Sequence, residues 1–193
     1  MDMPSLAREY LPGKVRYGVG PLAELMRKSA LASVFQPIVD LRNGGIYAHE
    51  TLIRGVEGPA LFGADALFNA ARSERLEFEF ELYCASVALE RWGQLRELGR
   101  LFVNISADAL VDVVQCQDCA TLVQWVRNFG VLPLMLALEL TEHERVNNMD
   151  QLIEVVRKVR TAGLSLALDD FGGGRSSLRL WSQVKPEIVK IDK

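Results

Sequence analysis

Apolar and polar positions along this chain fall into short blocks whose period alternates between two and about 3.6. Residues 32–39 (Ala-Ser-Val-Phe-Gln-Pro-Ile-Val) and 46–54 read as strands. Asn43-Gly44 between them is a strong hairpin signal, so these two strands are expected to be antiparallel. Residues 100–106, 134–140, 164–168 and 188–191 supply four further blocks of strand length. Between the strands, residues 64–75, 78–98, 121–129, 150–161 and 177–181 show helical spacing, and 21–28 forms a short helix opened by Pro21. Asp150 is expected to cap its helix and Gly163 to end it. Within 78–98, Phe78, Leu82, Ala85, Leu89 and Trp92 make one stripe, read as core packing rather than an aromatic binding surface. Residues 1–20, broken by Pro4, Pro12, Gly13, Gly18 and Gly20, read as an irregular lead-in.

From the second strand onward strands and helices alternate, the signature of β-α units and a parallel sheet. Each of these strands carries a polar residue toward its C-terminal end: Glu50, Asn104, Glu139, Asp169 and Lys190. In a (β/α)8 barrel those ends converge on the face where active sites of that fold lie. The expected fold is therefore α/β, a TIM-like (β/α)8 barrel with an antiparallel first strand. The chain stops just after a sixth strand, whereas such a barrel typically needs about 250 residues. Residues 21–193 are accordingly expected to form a domain incomplete at its C-terminus, within a longer protein.

Residues 164–168 resemble a fully buried strand, and they deliver Asp169 and Asp170 into Gly172-Gly173-Gly174. Ionised carboxylates at the end of a buried strand are costly unless a cation or hydrogen bonds compensate them. An ordinary N-cap would account for one of the two aspartates. Three carboxylates and one amide oxygen from separate strands suit Mg2+ or Mn2+ rather than zinc. Asp170 permits a second ion sharing Asp169 as bridge. Lys190, among several acids, stays protonated; it either orients an attacking water or forms a plain salt bridge to Asp192 or a neighbouring acid.

Composition narrows the field. With 193 residues, 49% hydrophobic and 24% charged, the chain is one ordinary globular domain. No apolar run approaches the ~20 residues that span a bilayer, and the first residues lack a secretory layout. A net charge of −3 argues against DNA or RNA as partner. Of three cysteines, Cys116 and Cys119 form a C-x-x-C pair with no second pair and with His49 and His143 remote. They read as two cysteines at the start of an amphipathic helix in a reduced, cytoplasmic protein.

Taken together, several segments resemble the EAL-type cyclic di-GMP phosphodiesterases. They are Phe35-Gln36-Pro37-Ile38-Val39, Glu50-Thr51-Leu52-Ile53-Arg54, Val103-Asn104-Ile105-Ser106-Ala107, Glu139-Leu140-Thr141-Glu142, Asp169-Asp170-Phe171-Gly172-Gly173-Gly174 and Lys190-Ile191-Asp192. The resemblance implies two-metal hydrolysis of cyclic di-GMP to linear 5′-pGpG in bacterial second-messenger signalling. By position, Glu50, Asn104, Glu139 and Asp169 would hold one Mg2+ or Mn2+, and Asp169 and Asp170 a second. Glu50, Asp169 and Lys190 would be catalytic, Lys190 at the nucleophilic water. Gln36, Leu52, Arg54 and Asp192 would form the substrate-binding set, with Arg54 on a phosphate. The resemblance also implies fused sensory or GGDEF-type domains, and it is compatible with a homodimer formed through the region after the paired aspartates.

The chain departs from the family pattern in reading Glu-Thr-Leu at its signature and Gly-Gly-Gly-Arg where Gly-Thr-Gly-Tyr is usual. It also lacks the seventh and eighth strands, so these 193 residues alone are expected to show little turnover. A non-catalytic cyclic di-GMP receptor is the alternative, although the retained acids and Lys190 favour an enzyme. An unrelated Mg2+ barrel with lysine as base leaves the Gln36 and Arg54 segments unexplained.

Overall fold

The computed structural model describes residues 18–56, 61–95, 99–116, 119–141, 146–172 and 177–191. Its elements are α1 (Pro21–Arg27), β1 (Leu31–Val39), β2 (Ile46–Gly55), α2 (Ala64–Glu74), α3 (Glu77–Leu95), β3 (Arg100–Asn104) and α4 (Ala107–Cys116). They continue with α5 (Cys119–Asn128), a 3-10 turn (Pro133–Met135), β4 (Leu136–Thr141), α6 (Met149–Thr161), β5 (Ser165–Phe171), α7 (Ser177–Val184) and β6 (Ile188–Ile191). The six strands form one sheet in the order β1-β2-β3-β4-β5-β6, with β1 antiparallel to β2 and every later pair parallel. This is the expected architecture, a TIM-like (β/α)8 barrel with a reversed first strand, represented by six strands. Asp40 N donates to Gly45 O at 2.8 Å and Gly44 has φ +71°, so the Asn43-Gly44 hairpin forms where the sequence placed it.

Strand alternation divides the core in two. Leu101 and Val103, Leu136, Leu138 and Leu140, and Leu166 and Leu168 face the helices in the main cluster. Ala48, Phe102, Ala137 and Ala167 meet on the opposite face, flanked by Ile38 and Ile188. Because both faces of the central strands are covered, these strands read as continuous apolar runs. The α3 stripe is core, as expected, and the helix is buried on a second side too. Phe80, Tyr83 and Val87 pack with Leu22, Leu67 and Ala71.

Several element assignments change. Helix α4 was not among the expected elements, although Ala107, Leu110, Val111 and Val114 recur at helical spacing; burial of Ala109, Leu110, Val113 and Val114 holds it against the core. Cys116 ends α4 and Cys119 opens α5, so the two cysteines do not share one helix start. Asn148, not Asp150, caps α6, its side chain accepting from Gln151 N at 3.1 Å; Asp150 sits in the first turn, where its charge suits the dipole. Pro133 opens a 3-10 turn, which delays β4 to Leu136, and β5 runs on to Phe171 to carry both aspartates. Residues 1–17 of the expected lead-in lie outside the described residues.

One fastening holds α1 to the domain. Gly20 offers no side-chain cap; instead the Glu74 carboxylate at the end of α2 accepts from Leu22 N at 2.8 Å and Ala23 N at 3.0 Å. Replacing Glu74 by alanine strips two first-turn N–H groups of their acceptor. It should cost about 1–2 kcal/mol, read as a lower midpoint in thermal or urea unfolding. Glutamine, with one acceptor oxygen left, should lose about half as much.

Candidate metal centre

The inner-face residues that build the sheet's apolar layer are each followed, two positions later, by a polar residue. The triplets are Ala48-His49-Glu50, Phe102-Val103-Asn104, Ala137-Leu138-Glu139, Ala167-Leu168-Asp169 and Ile188-Val189-Lys190. Since side chains repeat every two residues along a strand, the second polar layer stacks on the first, apolar one. Register carries this across strands: Gln36 lies opposite Glu50, and Asn104 opposite Glu139. The result is a ring of polar groups at the C-terminal ends of the parallel strands.

Carboxylate oxygens of Glu50, Glu139 and Asp169 lie within 4.8 Å of one another. The Lys190 ammonium stands among them, 2.9 Å from Glu50 Oε2, 3.1 Å from Asp169 Oδ1, and hydrogen-bonded to Glu139 Oε1. Of the two roles its sequence position suggested, Lys190 takes that of ion-pair partner to neighbouring acids, and it does so from within the polar ring. Glu139 is 0% exposed, and its second oxygen, Oε2, is buried without a hydrogen-bond partner. Burial raises its pKa to about 7, against the opposing pull of Lys190. For Lys190, burial alone would favour the neutral amine, but the hydrogen bonds it donates to Glu139 and Glu50 outweigh it and raise the pKa above the usual lysine value. Lys190 therefore remains a cation at neutral pH and is not a proton acceptor in this arrangement.

Three carboxylates against one ammonium leave an excess of negative charge, and one buried oxygen lone-pair set is unused. Both features fit a hard divalent cation held by oxygen ligands. Asn104 borders the cluster beside Glu139 and donates its Nδ2 to Thr51 O at 3.3 Å. Asp170 sits at a bulge: three residue steps on β5, Leu168 to Phe171, match two on β6, Val189 to Ile191. On a regular strand adjacent aspartates would point to opposite faces; the bulge, with Asp170 at φ +54°, lifts that constraint. Aspartate tolerates this left-handed backbone better than most side chains.

Of the substrate-binding expectations, Gln36 is exposed and Leu52 and Arg54 are half-buried on the same two strands, Arg54 donating to Ile53 O at 2.7 Å. Asp192, Gly173 and Gly174 lie outside the described residues. Sequence reasoning missed Glu81, whose carboxylate accepts from Ser106 N at 2.7 Å. A carboxylate between the apolar Phe80 and Leu82 of a buried helix was the available signal.

The sheet order and the polar ring define a barrel-type domain with its polar site at the strand ends. The chain belongs to the EAL domain family, whose family model matches residues 21–193. It is 30% identical over 183 residues to the cyclic di-GMP phosphodiesterase NbdA of Pseudomonas aeruginosa, covering 89% of this chain and 22% of that protein. It is 26% identical over 159 residues to the blue light- and temperature-regulated antirepressor BluF of Escherichia coli, covering 82% and 38%. Among solved structures, Klebsiella pneumoniae BlrP1 in its manganese and cyclic di-GMP complex superposes with a TM-score of 0.71 at 29% identity, over 84% of this chain and 40% of that one. The chain thus spans less than half the length of each of these relatives. No helix among the described residues is long and apolar enough to cross a membrane.

Proposed function

We propose that this chain is the catalytic part of a cyclic di-GMP phosphodiesterase that opens the cyclic dinucleotide to linear 5′-pGpG. The observation that carries the reading is the convergence of Glu50, Glu139 and Asp169 around Lys190, with one oxygen of buried Glu139 lacking a partner. Similarity to NbdA and BlrP1 supports the substrate.

Glu50, Asn104, Glu139 and Asp169 would hold one Mg2+ or Mn2+, and Asp169 with Asp170 a second. Such ions, when bound, activate water and neutralise phosphate charge. Lys190 supplies a fixed ammonium at the site, able to hold the attacking oxygen and to stabilise charge gathering on the phosphate. Arg54 is suited to bidentate contact with a phosphate. Gln36 and Leu52, on β1 and β2 beside the ring, and Asp192 complete the substrate-binding set. The catalytic unit is proposed to be a closed cytoplasmic barrel to which this chain contributes six strands, in a protein that also carries sensory or GGDEF-type domains and can form a homodimer.

The test is separation of products after cyclic di-GMP is incubated with Mn2+ or Mg2+ and the full-length protein, beside this 193-residue chain. Formation of pGpG by the full-length protein supports the reading. Tight binding without pGpG overturns it in favour of a receptor, the reading that similarity to an antirepressor favours. Absence of binding overturns both.

Ion affinity should depend on pH with a defined sign. With a pKa of about 7, Glu139 carries a proton below neutrality that an incoming cation must displace. Affinity for Mn2+ should therefore fall by up to about tenfold per pH unit below 7 and level off above about 8. Calorimetry in two buffers of different ionisation enthalpy should report about one proton released at pH 6 and almost none at pH 8.5.

A further inference from the structure

Strands β2 and β3 pair only from Ala48–Arg100 to Glu50–Phe102. Beyond that point they diverge around a cleft of about 140 Å3 lined by Thr51, Leu52, Phe68, Glu81, Asn104 and Ser106. The last residues of β3 therefore lack a ladder on the β2 side just where Asn104 enters the polar ring. On the β4 side Ile105 N donates to Glu139 O at 3.0 Å. On the β2 side the long Asn104–Thr51 bond of 3.3 Å is joined by a shorter one, from Ser106 N to Glu81 at 2.7 Å. Glu81 reaches in from the second turn of α3, a helix packed on two sides, so its anchor is rigid. Ser106 in turn opens α4, accepting from Ala109 N through Oγ at 3.1 Å and from Leu110 N through its carbonyl at 3.0 Å. A carboxylate acceptor at that position makes a charge-assisted bond and complements the helix dipole.

We infer that Glu81 is a positioning residue for Asn104. By holding Ser106 it fixes the end of β3, keeps the Asn104 amide on Thr51, and leaves Oδ1 as the oxygen available to a cation. The inference rests on the reading of Asn104 as an ion ligand. Outer contacts of this kind commonly change ion affinity by about 10–100-fold.

The test compares Glu81→Ala and Glu81→Gln in this chain. It reads hydrogen exchange of the Asn104 side-chain amide, identified by its loss in Asn104→Asp, and Mn2+ affinity by calorimetry. Alanine should speed Asn104 exchange and weaken Mn2+ binding by about tenfold. Glutamine, which keeps an acceptor of the same reach, should restore both to within about threefold. An alanine variant that loses thermal stability while Asn104 exchange and Mn2+ affinity stay unchanged would overturn the inference, leaving Glu81 as a cap of α4 alone. A glutamine variant no better than alanine overturns it as well. If the full-length protein binds Mn2+ without opening cyclic di-GMP, the phosphodiesterase reading fails while both readouts on Glu81 still decide its role.

Discussion

Replacing Glu139 by glutamine is expected to remove divalent-ion binding and to lower cyclic di-GMP cleavage by about 1,000-fold or more, beyond the 10–100-fold typical of outer contacts. Glu139 is the one fully buried acid of the cluster, and its partnerless Oε2 is the strongest mark of a cation-binding role. Glutamine keeps the shape but cannot carry the negative charge. At pH 6 Glu139 is mostly protonated, given a pKa of about 7, so glutamine imitates the state already present there. The ion-free midpoint should accordingly change little at pH 6. The difference appears on adding Mn2+: at 100 times its dissociation constant the unaltered protein gains about 2.7 kcal/mol, roughly 5–10 °C for a domain of this size. The variant should gain nothing. A variant that still shows the full Mn2+ shift would place the ion elsewhere.

Lys190→Met should destabilise the ion-free protein by about 3 kcal/mol at pH 8, near the lower end of what removing one partner of a buried pair costs. Among the described residues Lys190 is the cation set between three carboxylates whose oxygens lie within 4.8 Å, and it is 26% exposed, so water screens the loss only in part. The deficit has a pH signature. Without Lys190, Glu139 loses the hydrogen bond and the attraction that lower its pKa, so a folded-state value already above 4.5 rises further. The folded state then binds more protons than the unfolded one, and stability increases as pH falls from above 7 toward 4.5. Unfolding curves should show the largest deficit at pH 8, a smaller one at pH 5.5, and partial recovery with Mn2+ at pH 8. An equal deficit at both pH values would mean that the lysine stem acts by packing.

The legible parts of the site were those governed by local rules. Glu50, Asn104, Glu139, Asp169 and Lys190 each stand two residues after an inward apolar residue, so strand period alone stacks them on one layer. Asn43-Gly44 likewise determined the reversed first strand, because that turn demands a positive φ that glycine supplies. Helix α4 was legible by the same kind of rule and was missed: Ala107, Leu110, Val111 and Val114 recur at helical spacing and form the face it buries. The Asn148 cap was missed for a different reason: Asn148 and Asp150 are both good cap residues, and the backbone decides between them.

The sequence by itself determined the alternation of strands and helices, the reversed hairpin and the identity of the polar ring, because each follows from spacing within a few residues, whereas the strand order is fixed by pairing between distant segments. Only the tertiary structure decided how that ring is charged and held. That Lys190 touches three acids from three strands, that one oxygen of Glu139 has no partner, and that a bulge at Asp170 frees two adjacent aspartates from opposite faces depend on contacts between distant segments. The same is true of Glu81, which lies 25 positions from Ser106 in the chain and meets it only because α3 packs behind the place where β2 and β3 part. Spacing records which face a side chain takes; it does not record which distant side chain meets it there.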